Sequence, residues 1–132
     1  MSLSRLLAIA AVAATFACGS STPTNPNPPP PGTKAVTIQD FSFSPASLTI
    51  AAGTTVRWTN NGPSSHTTTS DAGAWSSGTL SPPSGGGGYG GGGSAGGTFD
   101  FKFTQPGSYP YHCSLHPPSM YPGFTGMVTV TP

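Results

Sequence analysis

The stretch Thr98–Phe103, "TFDFKF", has one regular conformation that gathers its apolar residues together. Phe99, Phe101 and Phe103 recur at every second position, with Asp100 and Lys102 between them. A strand places such residues on one face, whereas a helix scatters them around its axis. The same period returns in short runs along residues 34–132. In "KAVTIQDFSFSP", Val36 and Ile38 share a face while Phe41 and Phe43 have the opposite parity, which predicts a bulge or bend near Gln39–Asp40. "SLTI" turns Leu48 and Ile50 inward, and "TTVRWTN" turns Val56 and Trp58 inward and Arg57 outward. "SYPYHC" sets Tyr109, Tyr111 and Cys113 against Pro110 and His112, and "GMVTV" turns Val128 and Val130 inward and Met127 outward. The 19 glycines and 16 prolines cut these runs short. Short antiparallel strands with one apolar face each must close on one another as two sheets or a barrel.

Two regions stand outside this pattern. Residues 1–17 carry Arg5, an apolar run from Leu6 to Ala14, and small residues before Cys18. That is the layout of an export signal, and the run is short for a membrane span. "FACGSS" is similar to the bacterial lipoprotein cleavage box, with Cys18 as the lipid-modified N-terminus; simple secretion is the other reading. Residues 18–33, "CGSSTPTNPNPPPPGT", cannot build a core and read as a Pro-rich tether. Within the domain of residues 34–132, the segment 84–97, "SGGGGYGGGGSAGG", has one aromatic residue and reads as an exposed insertion. Charged residues make up 5% of the chain and the net charge is +1, so there is no basic footprint for nucleic acid.

Chemistry concentrates in "YHCSLHPPSMYPGF". This stretch holds one of two cysteines, two of three histidines and one of three methionines. A cysteine left without a partner in an exported chain is inert core, a reactive thiol or a metal ligand. Cys113 and His116 are three apart, Met120 follows four later, and His66 lies upstream in "TNNGPSSHTTTSD". A thiolate, two imidazoles and a weak thioether form the ligand set of a mononuclear blue-copper site. Other chemistries fit less well. A thiol hydrolase needs a nucleophile at a helix start with an oxyanion hole, zinc wants four firm ligands, and three histidines are too few for a trinuclear copper cluster. These residues therefore do not point to an enzyme.

The stretches "FSFSPASLTIAAGTTVRWTNNGPSSHTTTSD", "AWSSGTL", "FDFKFTQPGSYPYHCSLHP" and "GFTGMVTV" together resemble the small cupredoxins of the plastocyanin, pseudoazurin and amicyanin group. The resemblance implies an all-β, Greek-key β-sandwich of about seven or eight strands. It also implies one type 1 copper ion and electron carriage between redox protein partners. The metal ligands would be His66, Cys113, His116 and, as axial ligand, Met120. Two positions depart from the family pattern: Thr67 follows His66 where asparagine is common, and Phe124 precedes "TG" where the relatives' methionine usually stands. The expectation is an exported monomer, tethered to a bacterial membrane by lipid on Cys18 and docking partners through the apolar surface around His116. The alternative is a non-redox copper-binding or copper-buffering lipoprotein on the same fold.

Overall fold

The computed structural model describes residues 29–85 and 93–132. The expected signal, Cys18, the tether up to residue 28 and the middle of the glycine-rich insertion lie outside the described residues. Eight strands account for the regular structure: β1 (Lys34–Gln39), β2 (Ser42–Ser44), β3 (Ser47–Ala51), β4 (Thr55–Asn60), β5 (Thr69–Ser70), β6 (Thr98–Lys102), β7 (Gly107–His112) and β8 (Thr125–Thr131). No helix occurs among the described residues, and none there is long and apolar enough to cross a membrane.

The parity change between Ile38 and Phe43 is a chain reversal. β1 and β2 form a hairpin with only Asp40 and Phe41 between them, and Ile38 lies opposite Phe43 in the antiparallel register. Opposed residues share a face, so both are buried, at 0% and 4% exposure. The tight turn puts Phe41 at φ 63°, a region that costs a bulky residue on the order of 1–2 kcal/mol.

The strands form two four-stranded sheets, ordered β2-β1-β4-β6 and β3-β8-β7-β5. Not every pairing is antiparallel, as the sequence suggested: β1 runs parallel to β4, and β3 parallel to β8. The sheets face each other as an all-β sandwich. Val36, Ile38, Ile50, Val56, Trp58, Phe103, Tyr111, Val128 and Val130 fill the space between them. Trp58 is fully enclosed, with its ring 5.5 Å from that of Trp75 and 5.6 Å from that of Tyr111. Gly126 lies opposite Tyr111, and a side chain there would overlap the tyrosine ring.

Arg57, expected to face solvent, is only 6% exposed. Its neighbour across the β4–β6 register is Asp100, and the guanidinium donates to both carboxylate oxygens at 2.6 Å. A planar fork meeting a carboxylate edge lets the charge lie under cover. The glycine-rich insertion also has firmer ends than its composition suggests. Ser84 and Ser94 bridge its base, and Gly97 accepts from Asn60 N and donates to Ser81 O, each at 2.9 Å.

This architecture brings three connections to one end of the sandwich. They are the β1–β2 turn, the loop leaving β4, and the loop between β7 and β8.

Candidate metal centre

The loop leaving β4 is fastened by a buried side chain. Asn60 Nδ2 donates to the carbonyls of Ser64 at 2.8 Å and Leu80 at 2.9 Å, and its Oδ1 accepts from Gly62 N at 3.0 Å. His66 then pairs back to back with Leu80: His66 N donates to Leu80 O at 3.1 Å and Leu80 N to His66 O at 2.8 Å. The imidazole is thereby fixed at 0% exposure.

Cys113 follows β7 directly and is also at 0% exposure. The chain reverses at once, with His116 N donating to Cys113 O at 3.3 Å, and this turn carries His116 back over the cysteine. Cys113 Sγ lies 3.9 Å from His66 Nδ1 and 3.6 Å from His116 Nδ1. The three donor atoms lie within 4.8 Å of one another. A first-row metal with bonds of about 2.3 Å to sulfur and about 2.0 Å to nitrogen, spread in a plane, sets S and N about 3.7 Å apart. The two observed separations bracket that value, so the donors present fit one small metal ion.

Two of the three donors have a hydrogen-bond partner that orients them. Thr67 N donates to Cys113 Sγ at 3.3 Å, a bond suited to a thiolate. The Thr67 hydroxyl accepts from Ser114 N at 2.8 Å and lies 3.0 Å from Ser114 Oγ. Threonine thus ties the two ligand loops together at the position where asparagine is common in the family. Asp40 is the partner of His66, with its Oδ1 2.9 Å from His66 Nε2. A carboxylate only accepts, so the imidazole proton belongs on Nε2, and the Nδ1 lone pair is left facing the sulfur. The His66 contact, with those from Ser64, holds the Asp40 carboxyl below the usual carboxylate range.

His112 stands apart from this centre, with its Nδ1 2.6 Å from Asp71 Oδ1 on the other side of β7. Met120 is 72% exposed, in a loop whose turns are closed by Met120 N and Tyr121 N donating to Pro117 O. Met127 is a partly buried β8 residue opposite Pro110 and Ser47. The structure thus brings His66, Cys113 and His116 to a common point, and leaves Met120 largely in solvent. Asp40 and Phe41 are contributors to the site that the sequence pattern did not single out, and Thr67 stood out only as a departure from the family pattern. Asp40 and His66 are 26 positions apart, and nothing in local alternation signals that the β1–β2 turn folds over the histidine.

A model of the family described as copper binding proteins, plastocyanin/azurin family, matches residues 32–131. Among solved structures, the chain is similar to a novel purple cupredoxin from Nitrosopumilus maritimus. The two are 27% identical with a TM-score of 0.54, over 74% of this chain and 99% of that one. An oxidised amicyanin variant is 26% identical with a TM-score of 0.52, over 74% of this chain and 81% of that one. A copper-containing nitrite reductase from Thermus scotoductus shares the fold, at 23% identity and a TM-score of 0.56, but this chain spans only 22% of it. The buried cysteine sulfur and two imidazoles fit a single type 1 copper site.

The Asp40 contact yields a first expected result. Asp40→Ala should lower copper affinity by about 10- to 100-fold, because it frees the imidazole to rotate and lowers its basicity. Asp40→Asn, which keeps an acceptor, should lose less. Competition against a chelator of known affinity measures both, and equal affinities for wild type and Asp40→Ala would show that the carboxylate does not orient His66.

Proposed function

We propose, from the premise that this chain belongs to the plastocyanin/azurin family of copper-binding proteins, that it is an exported electron carrier rather than an enzyme. His66, Cys113 and His116 would hold the metal, which supplies a Cu(I)/Cu(II) couple when bound. The observation that carries this reading is the asymmetry of burial. Two of the three donor residues are sealed from solvent, and His116 alone is partly exposed. The sealed donors keep the site rigid, and the His116 ring gives it one contact with the outside.

The surroundings of that ring support a docking face for redox protein partners. The exposed large hydrophobic residues among those described are Phe41, Leu115 and Met120. Leu115 adjoins His116 in sequence, Met120 lies in the same loop, and the Phe41 ring is 5.2 Å from the His116 ring. Phe41 also stacks on Tyr121 at 4.1 Å. Charge contributes little long-range steering. Beyond Cys18, the basic residues Lys34, Arg57 and Lys102 balance the acidic Asp40, Asp71 and Asp100, and Arg57 is already engaged with Asp100. The reading extends to a monomer held at a bacterial membrane by lipid on Cys18, motivated by "FACGSS" and the proline-rich stretch after it.

Two readouts on the full chain test this reading. Voltammetry of the copper-loaded protein should give a reversible one-electron couple, whereas tight copper binding without one would make the protein a copper buffer. Fractionation of expressing cells should find the protein with membranes and Cys18→Ser in the soluble exported fraction. An unchanged membrane fraction for Cys18→Ser would remove the lipid anchor from the reading.

A further inference from the structure

A hydrocarbon ring packs against the donor cluster. β7 and β8 pair with His112 opposite Thr125, and extending that register by one residue sets Cys113 opposite Phe124. Opposed residues of an antiparallel pair point to the same face, so the Phe124 side chain leaves the backbone beside that of Cys113. Both residues are at 0% exposure. The Phe124 ring stands edge-on to His66, with centroids 5.0 Å apart and planes at 88°, and its centroid is 6.2 Å from that of His116. Phe43 backs it at 4.8 Å, and Phe124 N donates to Tyr121 O at 2.9 Å. The ring is therefore wedged against both imidazoles, on the face that the extended register gives to Cys113, with no polar atom of its own. Neither candidate sulfur competes for this place. Met120 is 72% exposed, and Met127 lies three positions after Phe124, on the opposite face of β8, where it neighbours Ala46 and Pro110.

We propose that Phe124 closes the fourth position of the centre, so that copper is held by Cys113, His66 and His116 alone. The proposal rests on the reading of this site as type 1 copper, and it departs from the expectation that Met120 is the axial ligand. It has an electronic consequence. A thioether above the donor plane stabilises Cu(II) more than Cu(I), because Cu(I) accepts low coordination readily; the axial position is accordingly a control on potential. A phenyl ring there withholds that donor and keeps water away, and both effects favour the reduced ion. Phe124 is thus a positioning residue that acts on potential through what it excludes.

The test uses full-length, copper-loaded protein and three readouts: reduction potential, electron paramagnetic resonance and X-ray absorption at the copper edge. Wild type should show one short copper–sulfur contact and no second sulfur. Phe124→Met should lower the potential and alter the resonance spectrum, because it places a thioether beside Cys113. Met120→Leu and Met127→Leu should leave potential and spectrum where they were. A potential that moves with either leucine variant, or a second sulfur in wild type, overturns the proposal and leaves the copper reading intact. A potential and spectrum unchanged in a folded Phe124→Met also overturn it. Should Phe124→Met not fold, the sulfur count of wild type decides alone. Failure of wild type to take up copper in a coloured form would instead overturn the copper reading itself.

Discussion

Cys113→Ser is expected to abolish the visible absorption of the copper-loaded protein while the sandwich survives. The colour of a type 1 site comes from charge transfer out of the thiolate, and a serine oxygen is a hard donor that stays protonated near neutral pH. Loss of the band should therefore be complete. The fold should tolerate the change because the replacement atom finds the same partner. Cys113 Sγ already accepts from Thr67 N at 3.3 Å and lies 3.8 Å from Thr67 Oγ1, so a serine hydroxyl is not left unpaired in the interior. In the metal-free state, urea unfolding should shift by no more than about 1–2 kcal/mol, within the usual range for a single substitution. Copper retention should fall as well, since two imidazoles alone make a weaker site. A variant that stays blue would move the thiolate role away from Cys113. A variant that does not fold would make Cys113 a packing residue first.

The contrast between Cys113 and Asp40 shows what was readable before the structure. Cys113, His116 and the direction of β7 lie within a few residues, where alternation fixes which side chains share a face. His66 was readable as the one remaining histidine upstream, on a loop that a sandwich brings to the same end. The all-β class followed from the period of two and from glycine and proline at the ends of each run. What alternation could not give was the pairing of distant strands. It missed the parallel partners of β1 and β3, because parity says which face is buried and not which edge is matched. It placed Arg57 in solvent because an outward parity looks exposed until the residue across the register is known to be Asp100. The fourth position meets a related limit. Met120 stands at a plausible distance along the chain from His116, but sequence separation does not say what packs against the imidazoles: the Phe124 ring lies 5.0 Å from that of His66, while Met120 is 72% exposed. The end of the glycine-rich insertion shows the same limit, since Gly97 looks like linker in composition and is a hydrogen-bonded neighbour of Asn60 in space.

Asn60→Ala is expected to cost stability and metal affinity together. Asn60 sits at the end of β4 at 0% exposure, an amide in the interior with every contact made. Two donors reach the Ser64 and Leu80 carbonyls, and its oxygen receives Gly62 N. Truncation leaves Ser64 O and Gly62 N without this partner, while Leu80 O keeps His66 N. A buried polar group left unsatisfied costs about 1–3 kcal/mol, so with two such groups the loss should be about 2 kcal/mol or more unless water enters. Set against a domain stability of about 5–15 kcal/mol, that is a large fraction. The same bonds set the path of the loop that carries His66, and Leu80 is the residue with which His66 exchanges backbone hydrogen bonds. The imidazole should therefore lose its fixed position, and copper affinity should fall in the same variant. Asn60→Asp is a useful companion, since it keeps the acceptor for Gly62 N, removes both donors and buries a charge; it should do no better than alanine. Unfolding must be followed without metal, because bound copper adds its own stabilisation to the native state. A midpoint change of less than about 0.5 kcal/mol for Asn60→Ala would show that water replaces the amide at little cost. Full stability with weakened copper binding would separate the two roles and make Asn60 a residue of the site rather than of the fold.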